Sequence, residues 1–181
     1  MSAIGLGCWQ FGSMEWGYGK DYLEKDAIDI VHRALDLGVT LVDTAEIYGF
    51  GKSERAVGRA LEGRRDDAFV ATKVFPVLPI APIVEQRGRR SAGRLGIDRI
   101  DLYQIHQPNP LVPISNQMAG MRKLQEAGVA SWALATSRRA VMSSWPRSRF
   151  SGRNSEFAAR TPPGALVASY FAARKPWASG L

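Results

Sequence analysis

The chain has 181 residues, 45% of them hydrophobic and 23% charged, the proportions of a soluble globular protein with enough length to bury a core. No run of 18 apolar residues occurs, which excludes a helical membrane span. The opening Met-Ser-Ala-Ile-Gly-Leu-Gly lacks the basic and then apolar order of a secretory signal. The net charge of +7 points to nucleic acid only until it is located: residues 1–130 hold sixteen basic and sixteen acidic side chains, whereas residues 131–181 hold eight basic ones against Glu156 alone.

A balanced body with a basic tail is not a nucleic-acid-binding face, and no nucleic acid or membrane partner is expected. Cys8 is the single cysteine, so no intramolecular disulfide forms and a reducing cytoplasm is the expected location.

Taken in chain order, Ile4 to Leu6 reads as an opening strand. From Ala27 to Leu37 the apolar residues recur with helical spacing, with Asp26 expected to cap this helix and Gly38 to end it. His32 falls within this pattern and is expected on the helix surface. Val39 to Asp43 reads as a short buried strand. Ser53 is expected to cap a second helix from Glu54 to Leu61, closed by Gly63, and Ala68 to Lys73 is the next strand. Pro82 suits the first turn of a third helix running towards Arg94, although Gly88 and Gly93 weaken it. Ile100 to His106 is a strand stopped by Pro108 and Pro110. A helix from Gln117 to Ala127 follows, with Gly128 past its end, and Trp132 to Ala135 is a fifth strand. Short apolar strands alternating with helices mean parallel βα units. After about Ser131 the chain turns Arg- and Ser-rich without clear period, apart from a short helix near Ala165 to Ala173. The expected division is 1–135 as one barrel-like unit and 136–181 as a tail.

Four side chains stand at or just past expected strand ends: Asp43, Tyr48, Lys73 and His106. Each alone has an ordinary explanation, such as a turn aspartate, a packed phenol or a lysine reaching solvent. Consecutive strands of a parallel sheet, however, deliver their C-terminal ends to one face, where such folds build active sites. A phenol is a poor acid near neutral pH, an ammonium beside it favours the phenolate, and a carboxylate holds that ammonium in place. An imidazole orients or polarises a carbonyl. Together these are the parts for protonating an oxygen while hydride reaches the adjacent carbon.

Five stretches carry a more specific resemblance: Ile4-Gly-Leu-Gly-Cys-Trp-Gln-Phe-Gly12, Gly38-Val-Thr-Leu-Val-Asp-Thr-Ala-Glu-Ile-Tyr-Gly49, Gly51-Lys-Ser-Glu54, Ala71-Thr-Lys-Val74 and Arg99-Ile-Asp-Leu-Tyr-Gln-Ile-His106. In this order they resemble the aldo-keto reductase family, over residues 4 to about 130. The resemblance implies the first five strands and four helices of an α/β (β/α)8 TIM barrel, with NADPH/NADP as cofactor and a small aldehyde or ketone as substrate. It implies Tyr48 as general acid, Lys73 as the charge that eases its ionisation, Asp43 as the partner of Lys73 near the cofactor, and His106 as the group that orients the carbonyl. Gly7, Cys8 and Trp9 are expected against the nicotinamide, with Trp9, Trp16 and Tyr18 either lining the substrate pocket or packing. No metal is expected, and the oligomeric state is left open. A non-catalytic NADP-binding or partner-binding barrel of the same lineage is the alternative.

Two look-alikes are set aside. Gly51-Lys52-Ser53 lacks the glycine that a phosphate-binding loop needs five residues before Gly51, where Glu46 stands. Ser115-Asn116-Gln117 lies only nine residues after His106 and precedes the fourth helix, too early for the family's carboxamide-holding pair, whose place is near Thr136-Ser137. The change of character near Ser131 leads to the expectation that the family pattern is truncated or frameshifted after about residue 130.

Overall fold

Five parallel strands in the order β1-β2-β3-β4-β5 form one sheet: Gly5–Gly7, Leu41–Asp43, Phe69–Val74, Ile100–Ile105 and Ala130–Ala135. The computed structural model describes residues 1–107 and 109–135; the expected tail 136–181, its short helix and Thr136-Ser137 lie outside the described residues. Four helices alternate with the strands, α1 Glu24–Asp36, α2 Lys52–Ala60, α3 Ala81–Leu95 and α4 Ile114–Glu126. This is the expected βα alternation, with boundaries moved by a few residues.

The helix ends follow from local chemistry. Helix α1 buries Ala27, Val31, Ala34 and Leu35 on one face. It stops at Gly38, whose φ of 79° lets the amides of Gly38 and Val39 bond the carbonyls of Leu35 and Ala34, both at 2.9 Å. Asp26 is not the cap residue itself. It stands one turn in, and its carboxylate reaches back to the Leu23 amide at 2.7 Å, so it serves the same orphan donors from inside the helix. Ser53 is likewise not a cap: Gly51 precedes the first residue of α2, and Ser53 is fully buried. Its hydroxyl donates to the Cys8 carbonyl at 2.7 Å and pairs with the Thr44 hydroxyl at 2.8 Å, tying the exits of β1 and β2 together. Gly63 lies in the turn after α2, beyond the cap at Leu61.

Helix α3 runs unbroken through Gly88 and Gly93, because packing rather than propensity decides its course. Asn116 of α4 accepts the Ala81 amide at 2.8 Å and caps α3 from across the chain, and the Gln117 amide group donates to the Val112 carbonyl at 2.6 Å. His32 is more than a surface residue, since its Nε2 lies 2.8 Å from the Ala60 carbonyl and joins α1 to the end of α2.

The core lies between sheet and helices. Val42, Val70, Val74, Tyr103 and Ile105 meet Val31, Val57, Leu95, Met121 and Leu124 there. The opposite face of the sheet carries Leu41, Phe69, Ala71 and Leu102. Because strand side chains alternate, Asp43 falls on the same face as Leu41, and Lys73 on the same face as Phe69 and Ala71. The register pairs Gly7 with Asp43, Asp43 with Ala71, and Lys73 with Gln104. One rim of the sheet therefore collects the four residues that the sequence singles out.

Candidate active site

Asp43 ends β2 and Lys73 is the penultimate residue of β3. They form a tight ion pair, with Lys73 Nζ 2.7 Å from each carboxylate oxygen and 2.9 Å from the Thr44 carbonyl. Three acceptors thus surround an ammonium with three N–H donors, and the side chains of the pair are only 12% and 15% exposed. Burial pushes the Asp43 carboxyl above the usual carboxylate range, and Lys73 pulls it back down.

Tyr48 lies on the loop after β2, its ring centroid 5.3 Å from Lys73 Nζ. His106, the first residue after β4, meets the Tyr48 ring edge-on at 5.6 Å between centroids, and Phe75 flanks the imidazole at 6.2 Å. Burial first, and the Lys73 charge second, push the His106 pKa down to about 4. The imidazole is therefore neutral at physiological pH and presents one N–H donor and one nitrogen acceptor.

The path of the Tyr48 loop is unusual. Gly49, Phe50 and Gly51 all have positive φ, at 54°, 53° and 81°. For Phe50 the left-handed conformation costs about 1–2 kcal/mol. Gly49 also needs its missing side chain, because a Cβ there would come within 2.7 Å of the Gly12 backbone, where the loop after β1 crosses. This crossing brings the aromatic residues of the first loop to the site. Trp9 packs 6.4 Å from Tyr48 and 5.6 Å from Trp16. Trp9, Tyr48, Phe50, Lys52, Phe75 and His106 are among the residues that line a cleft of about 690 Å³.

The structure brings together all four candidate catalytic residues. Among the expected cofactor-facing residues it separates Cys8 from its neighbours. Gly7 and Trp9 face outward, but the Cys8 side chain is wholly buried in the core beside the sheet. Its amide donates to the Asp43 carbonyl at 2.8 Å and its carbonyl accepts from Ser53, so Cys8 holds the rim together and its thiol does not reach the cleft. Tyr18 packs against Tyr22 and beneath the Lys52 ammonium. Phe50 and Phe75 are cleft residues that sequence reasoning did not single out, and Lys52 entered it only within a motif stretch and a rejected phosphate-loop look-alike; their nearness to Tyr48 and Lys73 in the chain was the available signal. Among the described residues no group of metal-ligating side chains occurs, and no helix is long and apolar enough to cross a membrane.

The model of the Aldo/keto reductase family matches residues 3–143, past the point near residue 130 where the recognisable pattern was expected to stop. An uncharacterised oxidoreductase of Mycobacterium tuberculosis is 57% identical over 146 residues, which are 77% of this chain and 45% of that protein. The aldo-keto reductase YhdN of Bacillus subtilis is 46% identical over 138 residues, 70% of this chain and 40% of that protein. The chain thus spans less than half the length of these curated relatives. Among solved structures, an aldo/keto reductase of Klebsiella pneumoniae in complex with NADP and acetate superposes with a TM-score of 0.67 at 27% identity, over 77% of this chain and 47% of that one. The holo form of an aldo-keto reductase from Bacillus halodurans gives a TM-score of 0.64 at 31% identity, over 75% and 46% respectively.

Proposed function

Given that the chain belongs to the aldo/keto reductase family, we propose that Asp43, Tyr48, Lys73 and His106 are the reacting part of an NADPH-dependent reductase that converts aldehyde or ketone carbonyls to alcohols. The observation that carries this reading is their convergence: an anchored ammonium, a phenol and a neutral imidazole at one rim, opening into a cleft with aromatic walls.

The residues present fit a nicotinamide. Gly7 stands opposite Asp43 in register at the rim, and a Cβ placed on Gly7 would meet no atom within 4 Å, so the backbone there is open to a flat ring. Gly7, Trp9 and Asp43 would border it. When bound, the cofactor supplies a hydride to the carbonyl carbon.

The chain's own groups do the rest. The neutral His106 donates an N–H to the substrate oxygen and orients it. Tyr48 gives its phenolic proton to that oxygen as negative charge develops on it. Lys73, held by Asp43 and the Thr44 carbonyl, places a fixed positive charge beside the phenol and so favours the phenolate that proton transfer leaves behind. The aromatic walls exclude water from the exchange. Small carbonyl compounds with an apolar body suit such a cleft.

The test is a fluorescence titration of the purified chain with NADPH, followed by an aldehyde-reduction assay with Tyr48→Phe as control. The expected result is saturable binding in both chains, with turnover lowered by about 10²–10⁴-fold in the variant. Equal turnover by both would remove Tyr48 from its role. Binding without turnover in either would favour the non-catalytic reading.

A further inference from the structure

Behind the rim, on the helix side of β3, lies a chain of charges, partly buried at Glu46, Arg87 and Arg94 and wholly buried at Glu54, that the proposed chemistry does not use. The Glu46 carboxylate accepts from Arg87 of α3, with Nη2 at 2.7 Å and Nε at 3.0 Å, and also takes the Phe75 amide. Arg94 stands 4.0 Å from Glu46 and bonds Glu54 at 2.5 Å, while Glu54, wholly buried, accepts the Thr72 hydroxyl at 2.7 Å.

The place of Glu46 in the hydrogen-bond ladder is informative. Past the end of β2 the chain stays in parallel register with β3: the Thr44 amide bonds the Ala71 carbonyl at 2.9 Å, and the Glu46 amide bonds the Lys73 carbonyl at 3.2 Å. The next rung of a parallel ladder would join the Phe75 amide to the main-chain carbonyl of residue 46. The Glu46 carboxylate occupies that rung instead. The main chain is thereby free to turn, and within two residues it reaches Tyr48, whose amide bonds back to Ala45 at 3.0 Å. Arg87 completes the joint, since its Nη1 donates to the Phe75 carbonyl at 2.8 Å while its other nitrogens hold Glu46.

We propose that Glu46, held by Arg87, is a positioning residue that clamps the Tyr48 loop to the exit of β3 and so sets the phenol against the Lys73 ammonium. This rests on the reading of Tyr48 as general acid, and it adds a residue pair that is not among the residues lining the cleft. The charged groups facing Tyr48 are Lys73 and Asp43 at the rim, with Glu15 and Lys52 lining the same cleft, and the titratable but neutral His106 stands after β4.

The experiment is an ultraviolet difference titration of the Tyr48 phenol, obtained by subtracting the Tyr48→Phe chain, in Glu46→Leu and Glu46→Gln backgrounds. Leucine removes the acceptor for the Phe75 amide, whereas glutamine keeps an oxygen there and loses only the charge. The clamp predicts that the leucine variant titrates about one unit higher, as the phenol drifts from the ammonium, while the glutamine variant stays near the parent. In the NADPH-dependent assay, kcat of the leucine variant falls by about 10- to 100-fold with KM held. A purely electrostatic role predicts the reverse, with both variants titrating lower by the same amount, and that result overturns the proposal. So does an unchanged titration in the leucine variant. Should Glu46→Leu not fold, Glu46→Leu/Arg87→Met removes the stranded charge and is judged by the same criteria. The titration needs neither cofactor nor turnover, so it stands or falls separately from the aldehyde assay that judges Tyr48 itself.

Discussion

Replacing Lys73 with methionine strands Asp43. Both of its carboxylate oxygens bond the ammonium at 2.7 Å, and its side chain is only 15% exposed. Burial already raises this carboxyl against the pull of Lys73. Without the cation, Asp43 either stays charged at a desolvation cost or takes up a proton, and the cheaper route sets the ceiling. Protonating a carboxyl of ordinary pKa at pH 7 costs about 4 kcal/mol, and at pH 5 about 1.5 kcal/mol. The neutral-pH ceiling falls within the roughly 3–5 kcal/mol seen when one partner of a buried pair is removed. In the variant the folded-state pKa of Asp43 lies above its unfolded value, so the folded state binds more protons and the deficit narrows as pH falls. Loss of Lys73 also lifts part of the pressure that depresses His106, which acts in the same direction. Urea unfolding of the parent and Lys73→Met at pH 7 and pH 5 is the assay. The expected deficit is about 4 kcal/mol at the higher pH and about 1.5 kcal/mol at the lower. Asp43→Asn/Lys73→Met should lose the Asp43 part of this dependence and keep only the smaller part that comes through His106. An equal deficit at both pH values would refute the dependence of Asp43 on Lys73.

The depressed pKa of His106, about 4 against an ordinary 6.5, means that the folded chain resists protonation that the unfolded chain accepts. The His106 contribution to stability is therefore lost as pH falls from 6.5 towards 4, and His106→Asn should flatten this part of the unfolding profile. A Cβ at Gly58 would overlap the Leu95 carbonyl oxygen, a backbone atom that cannot swing aside. Gly58→Ala gains about 1 kcal/mol of helix propensity but loses about 1–3 kcal/mol to overpacking, so a lower melting temperature is expected and a higher one would contradict this packing. The Cys8 thiol is buried and its pKa is pushed well up by that burial. Ellman's reagent should label it only as the chain unfolds in urea, and prompt labelling of the native chain would place it at the surface instead.

Much of this fold was legible because its signals are local. Spacing of three and four residues located the helices, Gly38 and Gly128 marked two stops, and short apolar runs marked strands. Parallel topology then carried Asp43, Lys73 and His106 to one rim, since each stands at or next to the end of its strand and all the strands run one way. The displaced caps show where local reading fails. Asp26 and Ser53 have the right chemistry for a cap, but whether such a side chain serves its own helix end or another element depends on what lies beside it in space. Ser53 is claimed by Cys8 and Thr44 from two other segments.

The charges behind the rim were not legible at all. In sequence Glu46 was only the acid that spoils a phosphate-binding loop, Arg94 only marked where the third helix runs, and Arg87 carried no signal. Their meaning comes from partners forty or so residues away, through bonds from Glu46 to Arg87 and from Glu54 to Arg94. Residue types and chain order determined which groups meet at the rim. Only tertiary structure decided which way Cys8 points, how Glu46 takes over a rung of the ladder, and how closely Tyr48 is held to Lys73. Those outcomes depend on burial and on distances across the chain, which no local pattern encodes.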